Sequence, residues 1–314
     1  MDEVSVVRSL PAGIPVRDQH RVHAPRQRFK SRGRVRRNSV ALSIDSRVKL
    51  NNGVEMPVLG LGVWQIPSGG PTQRAVAQAL DAGYRLIDTA RIYGNEDGVG
   101  RAVRESGLPR DDIFVTTKLC NSDHGYDAAL KACDASLKHL GLASTDLYLI
   151  HWPVSRARKE TWQAMERILK EGKARSIGVS NYTIQHLEEL TSSSSVVPAV
   201  NQIELSPFLY QRDLIEYCQK RGIAVEAYSP LTQGQRLGDK RLVAVARKYS
   251  KTVPQILIRW GFEHGLIEIP KSASQDHIRE NAAVFDFEIR SEDVRLLDGM
   301  SEDLRMAWDP TGVP

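Results

Sequence analysis

From about residue 46, short apolar segments alternate with stretches in which apolar positions return every three or four residues. The segments VLGLGV (58–63), RLID (85–88), IFVTTK (113–118), LYLIH (147–151), RSIGVS (175–180), VNQIE (200–204), IAVEAY (223–228) and LIEIP (266–270) read as buried β-strands. Between them, Leu130, Cys133, Leu137 and Leu140 share one helical face ahead of Gly141, a natural helix C-cap, and Ile184, Leu187 and Leu190 do the same after Asn181. Eight strands alternating with helices predict parallel pairing through helical crossovers, an α/β arrangement that closes most naturally into a (β/α)8 TIM barrel. Ahead of the first of these strands, RVKL and VEMP flank the tight-turn signal Asn51-Asn52-Gly53, which predicts an N-terminal β-hairpin closing the bottom of the barrel. A doubly wound dinucleotide-binding fold is the competing architecture. Its best phosphate loop would be Gly60-Leu61-Gly62, but Gln65 stands where the third glycine belongs, so any nucleotide must be held differently.

Charge changes this picture only at the N-terminus. The chain of 314 residues carries a net charge of +5, yet residues 1–44 hold nine Arg, Lys30 and three acids, a net of +7, leaving −2 for the remainder. The folded portion, 45–314, thus offers no electrostatic case for nucleic acid. Residues 1–44 lack a sustained hydrophobic period and predict a disordered basic extension; a transit peptide and a start of translation nearer Val40 are the other readings. Three cysteines without close pairing, and no apolar run long enough to span a bilayer, predict a cytoplasmic protein with neither disulfide framework nor membrane partner.

Catalytic chemistry in a (β/α)8 barrel sits at the C-terminal ends of the strands. Four polar residues fall there: Asp88 at the end of the second strand, Tyr93 in the loop after it, Lys118 at the end of the third and His151 at the end of the fourth. A lysine ammonium beside a phenol favours the phenolate and so makes Tyr93 a better proton donor, while Asp88 would hold Lys118 in place. His151 can orient a carbonyl oxygen. Taken singly, each has a plainer explanation: an ion pair, a loop aromatic, a core histidine. The set contains neither a strong nucleophile nor a metal cage, and no metal is expected. What remains is protonation of an oxygen while hydride arrives from a nicotinamide cofactor.

The segments GYRLIDTARIYGNE (83–96), TTKL (116–119), LIHWP (149–153), SIGVSNY (176–182), NQIE (201–204), AYSPL (227–231) and IPKSAS (269–274) resemble the aldo-keto reductases in order and spacing, over about residues 46–300. Among these, NSDHGYD (121–127) and the short stretch after AYSPL look most like the bacterial diketogluconate reductases or prostaglandin-F-synthase-like enzymes. The resemblance implies NADPH-dependent reduction of aldehydes, ketones or α-dicarbonyls by a monomer, with Tyr93 as general acid. It implies that Ser180, Asn181 and Gln202 hold the carboxamide and that Tyr228 stacks on the nicotinamide. Gly62, Ser229, Pro230, Leu231 and Gln233 would lie along the pyrophosphate, with Lys271, Ser272, Ala273 and Ser274 at the 2′-phosphate and Asn281 at the adenine. Trp64, Trp152 and Trp308 would line the substrate mouth.

Two positions depart from the family pattern. His277 stands where an arginine usually pairs with the 2′-phosphate, which predicts weaker discrimination against NADH while Lys271 keeps NADPH preferred. Cys120 stands where a tryptophan often follows KL, which predicts a wider substrate pocket with a thiol near its mouth. Two functions of other classes compete with the enzyme: a cofactor-sensing regulatory subunit, and a protein whose basic tail binds nucleic acid or membrane.

Overall fold

The computed structural model describes residues 41–314; the basic extension, apart from residues 41–44, lies outside the described residues. A hairpin comes first, with strands β1 (Arg47–Lys49) and β2 (Glu55–Pro57) paired antiparallel so that Val48 faces Met56. Eight parallel strands follow: β3 (Gly60–Gly62), β4 (Leu86–Asp88), β5 (Phe114–Leu119), β6 (Thr145–Ile150), β7 (Ala174–Ser180), β8 (Val200–Glu204), β9 (Ala224–Tyr228) and β10 (Ile267–Glu268). Each pairs with the next in sequence. Parallel bridges Leu59↔Glu268 and Gly62↔Lys271 join β10 back to the β3 region, closing the barrel. All eight predicted strands are present, and the predicted hairpin is the observed one.

The helices are α1 (Gly70–Asp81), α2 (Glu96–Glu105), α3 (Tyr126–Leu140), α4 (Arg158–Lys170), α5 (Ile184–Ser193), α6 (Arg212–Lys220), α7 (Lys240–Tyr249), α8 (Val253–Glu263), α9 (Gln275–Ala282) and α10 (Ser291–Asp298). Gly141 caps α3 in the left-handed region, as its place after Leu140 predicts. The cap of α5 is Thr183, whose hydroxyl accepts from the His186 amide while the Thr183 amide donates to the His186 ring. Helices α7 and α10 exceed one helix per strand. The βα rhythm does not anticipate them, since α7 and α8 both lie between β9 and β10.

The barrel interior is solid at its lower end. Leu86, Phe114, Leu147, Leu149, Val200 and Ile267 pack with Leu50 and Met56 of the hairpin. The hairpin is tied to the strand bottoms by side-chain amides: Asn51 donates to the Pro198 carbonyl at 3.0 Å and Asn52 to that of Arg175 at 3.0 Å. The strand glycines serve the barrel seam. A Cβ at Gly60 would come within 2.4 Å of the Leu86 side chain, and one at Gly62 within 3.0 Å of the Ile269 carbonyl. Close approach of β3 to its neighbours therefore accounts for Gly60-Leu61-Gly62 without a phosphate loop. With the bottom plugged, open space remains at the C-terminal ends of the strands.

Candidate active site

Strand ends and one tight turn set the polar cluster. Asp88 is the last residue of β4, and the chain then turns through Arg91–Tyr93 to Gly94, which is left-handed at φ 65. Asn95 fastens this turn from below. Its amide donates to the Val63 and Ile66 carbonyls at 2.9 and 3.1 Å and its oxygen accepts from Thr89 at 2.7 Å. Lys118, fully buried in β5, donates to both Asp88 oxygens at 2.6 and 2.8 Å and to the Thr89 carbonyl at 2.9 Å. All three ammonium protons are thereby used. Its Nζ lies 5.1 Å from the centroid of the Tyr93 ring, and the His151 ring stands edge-on to Tyr93 at 5.7 Å. Asp88, Tyr93, Lys118 and His151 thus meet at one place, as their register along the strands predicts.

The electrostatics of this cluster follow from burial. Desolvation alone would lower the Lys118 ammonium, but the Asp88 carboxylate outweighs it, with help from Tyr93 and Glu226, and holds it above the ordinary lysine range. Desolvation raises the Tyr93 phenol more than Lys118 lowers it, so the phenol sits above its usual value. This corrects the expectation of a net-acidified tyrosine: Lys118 acts in the expected direction, and water exclusion is stronger. Burial, with Lys118 second, depresses the His151 imidazole to about 3, so it is neutral at physiological pH.

A cavity of about 660 Å³ opens over the cluster. Asp88, Tyr93 and His151 are in its floor; Ser180, Asn181, Gln202 and Tyr228 form one wall; Ser229, Pro230, Leu231 and Gln233 continue it outward; Gly62 and Lys271 lie at the seam. Trp64, Ile92, Trp152 and Trp308 border the mouth. The wall is cross-braced. Asn181 donates to the His151 carbonyl at 3.0 Å and accepts from the Tyr228 hydroxyl at 2.8 Å, and Ser180 donates to the Gln202 carbonyl at 2.8 Å. Backbone strain gathers here too. Asn181, Ser229, Thr232 and Gln233 all adopt positive φ without being glycine, a cost usually retained only where function fixes the conformation.

The remaining predicted residues divide. Ser272, Ala273 and Ser274 lead from Lys271 to the start of α9, with the Ser272 hydroxyl tied to the Ser274 backbone; Asn281 is buried and His277 exposed on α9. These five are not in the cavity wall, although Lys271 is. Arg279 is also exposed, but on a helix two residues place it well round from His277. Cys120 is not among the residues that line this cavity. It lines a separate cleft of about 550 Å³ with Arg91, Asp123 and His139, and Ile92 borders both spaces. The chain turns outward after Leu119 and carries the thiol with it.

Three functional contacts escape the motif reading. Glu226, wholly buried in β9, accepts from Gln202 at 2.7 Å. Glu204 ends β8 and accepts from the amides of Met306 and Ala307 at 2.6 and 3.0 Å, which hangs the C-terminal strap over the mouth and sets the Trp308 ring 5.1 Å from Trp152. Burial raises the Glu204 carboxyl while those two amides lower it, and burial prevails. An acid inside each of the apolar strands VNQIE and IAVEAY was the available signal. If Glu204 holds the roof, Glu204→Ala raises KM for carbonyl substrates several-fold, by about 1–2 kcal/mol in binding, exposes the last residues to carboxypeptidase, and leaves NADPH affinity unchanged. Steady-state kinetics with timed digestion checks this; an undisturbed KM with an intact C-terminus would count against it.

Residues 58–302 match the Aldo/keto reductase family. The chain belongs to that family. It is 47% identical over 268 residues to a glyoxal reductase of Bacillus subtilis, covering 85% of this chain and 97% of the relative. It is 47% identical over 266 residues to a 9,11-endoperoxide prostaglandin H2 reductase of Trypanosoma cruzi, covering 84% of this chain and 94% of the relative. Among solved structures, the aldo-keto reductase of Bombyx mori in complex with NADP superposes with a TM-score of 0.79 at 38% identity, covering 84% of this chain and 95% of that one. Family membership explains why the cavity lies where it does: the closed parallel barrel leaves its open end at the strand C-termini. Among the described residues, no helix is long and apolar enough to cross a membrane and no cluster of His, Cys, Asp and Glu could hold a metal ion.

Proposed function

We propose that this reductase catalyses the NADPH-dependent reduction of aldehydes, ketones or α-dicarbonyls to alcohols, with Tyr93 as proton donor. The observation that carries the reading is the junction of Tyr93 with the buried Lys118–Asp88 pair and the neutral His151 imidazole in the floor of one cavity. A nicotinamide supplies the hydride when bound. The residues present fit such a group: an amide-rich wall at Asn181 and Gln202, an aromatic ring at Tyr228, and the cation Lys271 one turn of chain before α9. The glyoxal reductase of Bacillus subtilis, whose named substrate is an α-dicarbonyl, and the NADP of the Bombyx mori structure lend support.

Tyr93 keeps its proton at neutral pH, as an ordinary phenol does, and burial holds it above the ordinary value. It releases it only as negative charge gathers on the carbonyl oxygen, when the adjacent Lys118 ammonium stabilises the phenolate. His151, uncharged, offers a hydrogen bond to that oxygen without competing as an acid. The tryptophans at the mouth favour an apolar flank on the substrate and exclude water. A monomer is the working unit of this reading, checked by sedimentation of the active species. A cytoplasmic location accords with the unpaired cysteines. A basic extension before residue 45 with a separate role is tested by deleting 1–40: full retention of carbonyl reduction places catalysis in the barrel alone.

The experiment for the proposal is a panel of small carbonyls assayed by consumption of NADPH and of NADH. Turnover of at least one class with NADPH supports it; no turnover across the panel overturns it. The panel also tests the exposed His277. An imidazole lacks the fixed charge and two-pronged donors of a guanidinium, so His277→Arg should tighten NADPH by about tenfold and NADH hardly at all. Equal gains for both cofactors would remove His277 from the 2′-phosphate.

A further inference from the structure

Beneath the catalytic cluster lies a second carboxyl group to which the reaction as described assigns no task. Glu226 faces the barrel interior from β9, fully excluded from solvent. A single amide links it to the cluster: Gln202 Nε2 donates to Asp88 Oδ2 at 2.8 Å and to Glu226 Oε2 at 2.7 Å. An amide nitrogen has two protons, and both are now committed. The one polar atom Gln202 has left is its carbonyl oxygen, in the wall of the cavity. We propose that Glu226 is a positioning residue: with Asp88 it clamps the Gln202 amide so that only an acceptor is presented to the nicotinamide carboxamide.

The inference rests on the placement of the nicotinamide against Gln202. An acceptor-only Gln202 selects the NH2 end of a carboxamide and so selects one rotation of the ring, hence which face meets the substrate. Were Gln202 free to flip, either end would be accepted. The charged or titratable groups around Glu226 are Asp88 of β4, Tyr93 of the following turn, Lys118 of β5 and Glu268 of β10; β8 contributes the neutral Gln202. Desolvation, then Asp88, pushes the Glu226 carboxyl up to about 8, against smaller opposing effects of Gln202 and Lys118. Glu226 Oε1 has no hydrogen-bond partner. Ionised Glu226 raises the Tyr93 phenol. Alcohol oxidation, which needs Tyr93 to take up a proton as phenolate, is therefore shifted to higher pH by ionised Glu226.

The sign for stability is fixed by linkage. A carboxyl group with a folded value above its unfolded value of 4.5 contributes stability that is fully present below 4.5 and lost as pH rises through about 8. Glu226→Gln keeps shape and acceptor but removes the charge; Glu226→Leu removes both; Gln202→Leu is the control. The readouts are NADPH dissociation constants from tryptophan quenching, thermal midpoints of the cofactor-free protein across pH about 5 to 9, and the pH profile of alcohol oxidation. Glu226→Leu should weaken NADPH about tenfold and Glu226→Gln by less than about threefold. In Glu226→Gln the loss of thermal midpoint through pH 8 should disappear, and oxidation should rise at a lower pH than in the unsubstituted protein. Wild-type NADPH affinity in Glu226→Leu while Gln202→Leu loses it overturns the proposal and leaves the nicotinamide site standing. Wild-type affinity in Gln202→Leu removes both. Should Glu226→Leu not fold, Glu226→Ala removes the same acceptor without added bulk and carries the same expectation for NADPH.

Discussion

Tyr93→Phe is expected to lower kcat for carbonyl reduction by about 10²–10⁴-fold, equivalent to roughly 3–5 kcal/mol of transition-state stabilisation, while NADPH affinity stays within about twofold. The change removes one oxygen and nothing of the packing. The ring remains under the Lys118 ammonium and edge-on to His151. His151 cannot take over proton donation, since its imidazole is depressed to about 3 and carries no extra proton at neutral pH. Single-turnover kinetics at saturating cofactor separate chemistry from product release. A variant that kept wild-type kcat would show that another group supplies the proton.

The second large effect is on folding. Lys118→Met leaves the buried Asp88 carboxylate without the cation that meets both its oxygens, retaining only the Gln202 amide. Removing one member of a buried pair costs about 3–5 kcal/mol, because the survivor stays desolvated and uncompensated. Denaturant unfolding should show a loss of that size, with kcat falling at least as far as in Tyr93→Phe. Exchange of the exposed Lys220, paired with Glu216 on one helix face, should cost at most about 1 kcal/mol and serves as the comparison. A loss below about 1 kcal/mol at Lys118 would mean that water reaches Asp88.

Barrel and cluster were legible from the chain for related reasons. A parallel strand buried on both faces must be nearly all apolar, so Asp88, Lys118 and His151, standing at the ends of RLID, IFVTTK and LYLIH, could be placed by counting. Strand ends of a closed barrel converge, which brought residues distant in sequence to one floor. The contacts that were missed obey no such rule. Glu204 acts by accepting from the amides of Met306 and Ala307, and backbone donors carry no residue signature, so the path of the strap could not be read, although Trp308 was expected at the mouth it borders. Glu226 was visible as an acid within an apolar strand, but the amide that ties it to Asp88 belongs to β8, and that pairing exists only in three dimensions. Cys120 was assigned to the substrate pocket by position alone; the turn after β5 sends it to the neighbouring cleft. Helices α7 and α10 fall outside the one-helix-per-strand rhythm.

The central claim is that hydride passes from NADPH to a carbonyl carbon held against Tyr93 and His151. The most direct test uses NADPH deuterated at the reactive carbon of the nicotinamide ring, with a small aldehyde or α-dicarbonyl that the protein consumes. Deuterium from one prochiral position, recovered in the alcohol at the former carbonyl carbon and greatly slowed in Tyr93→Phe, is the result this account predicts. Consumption of NADPH with no deuterium in the alcohol from either prochiral position would contradict it.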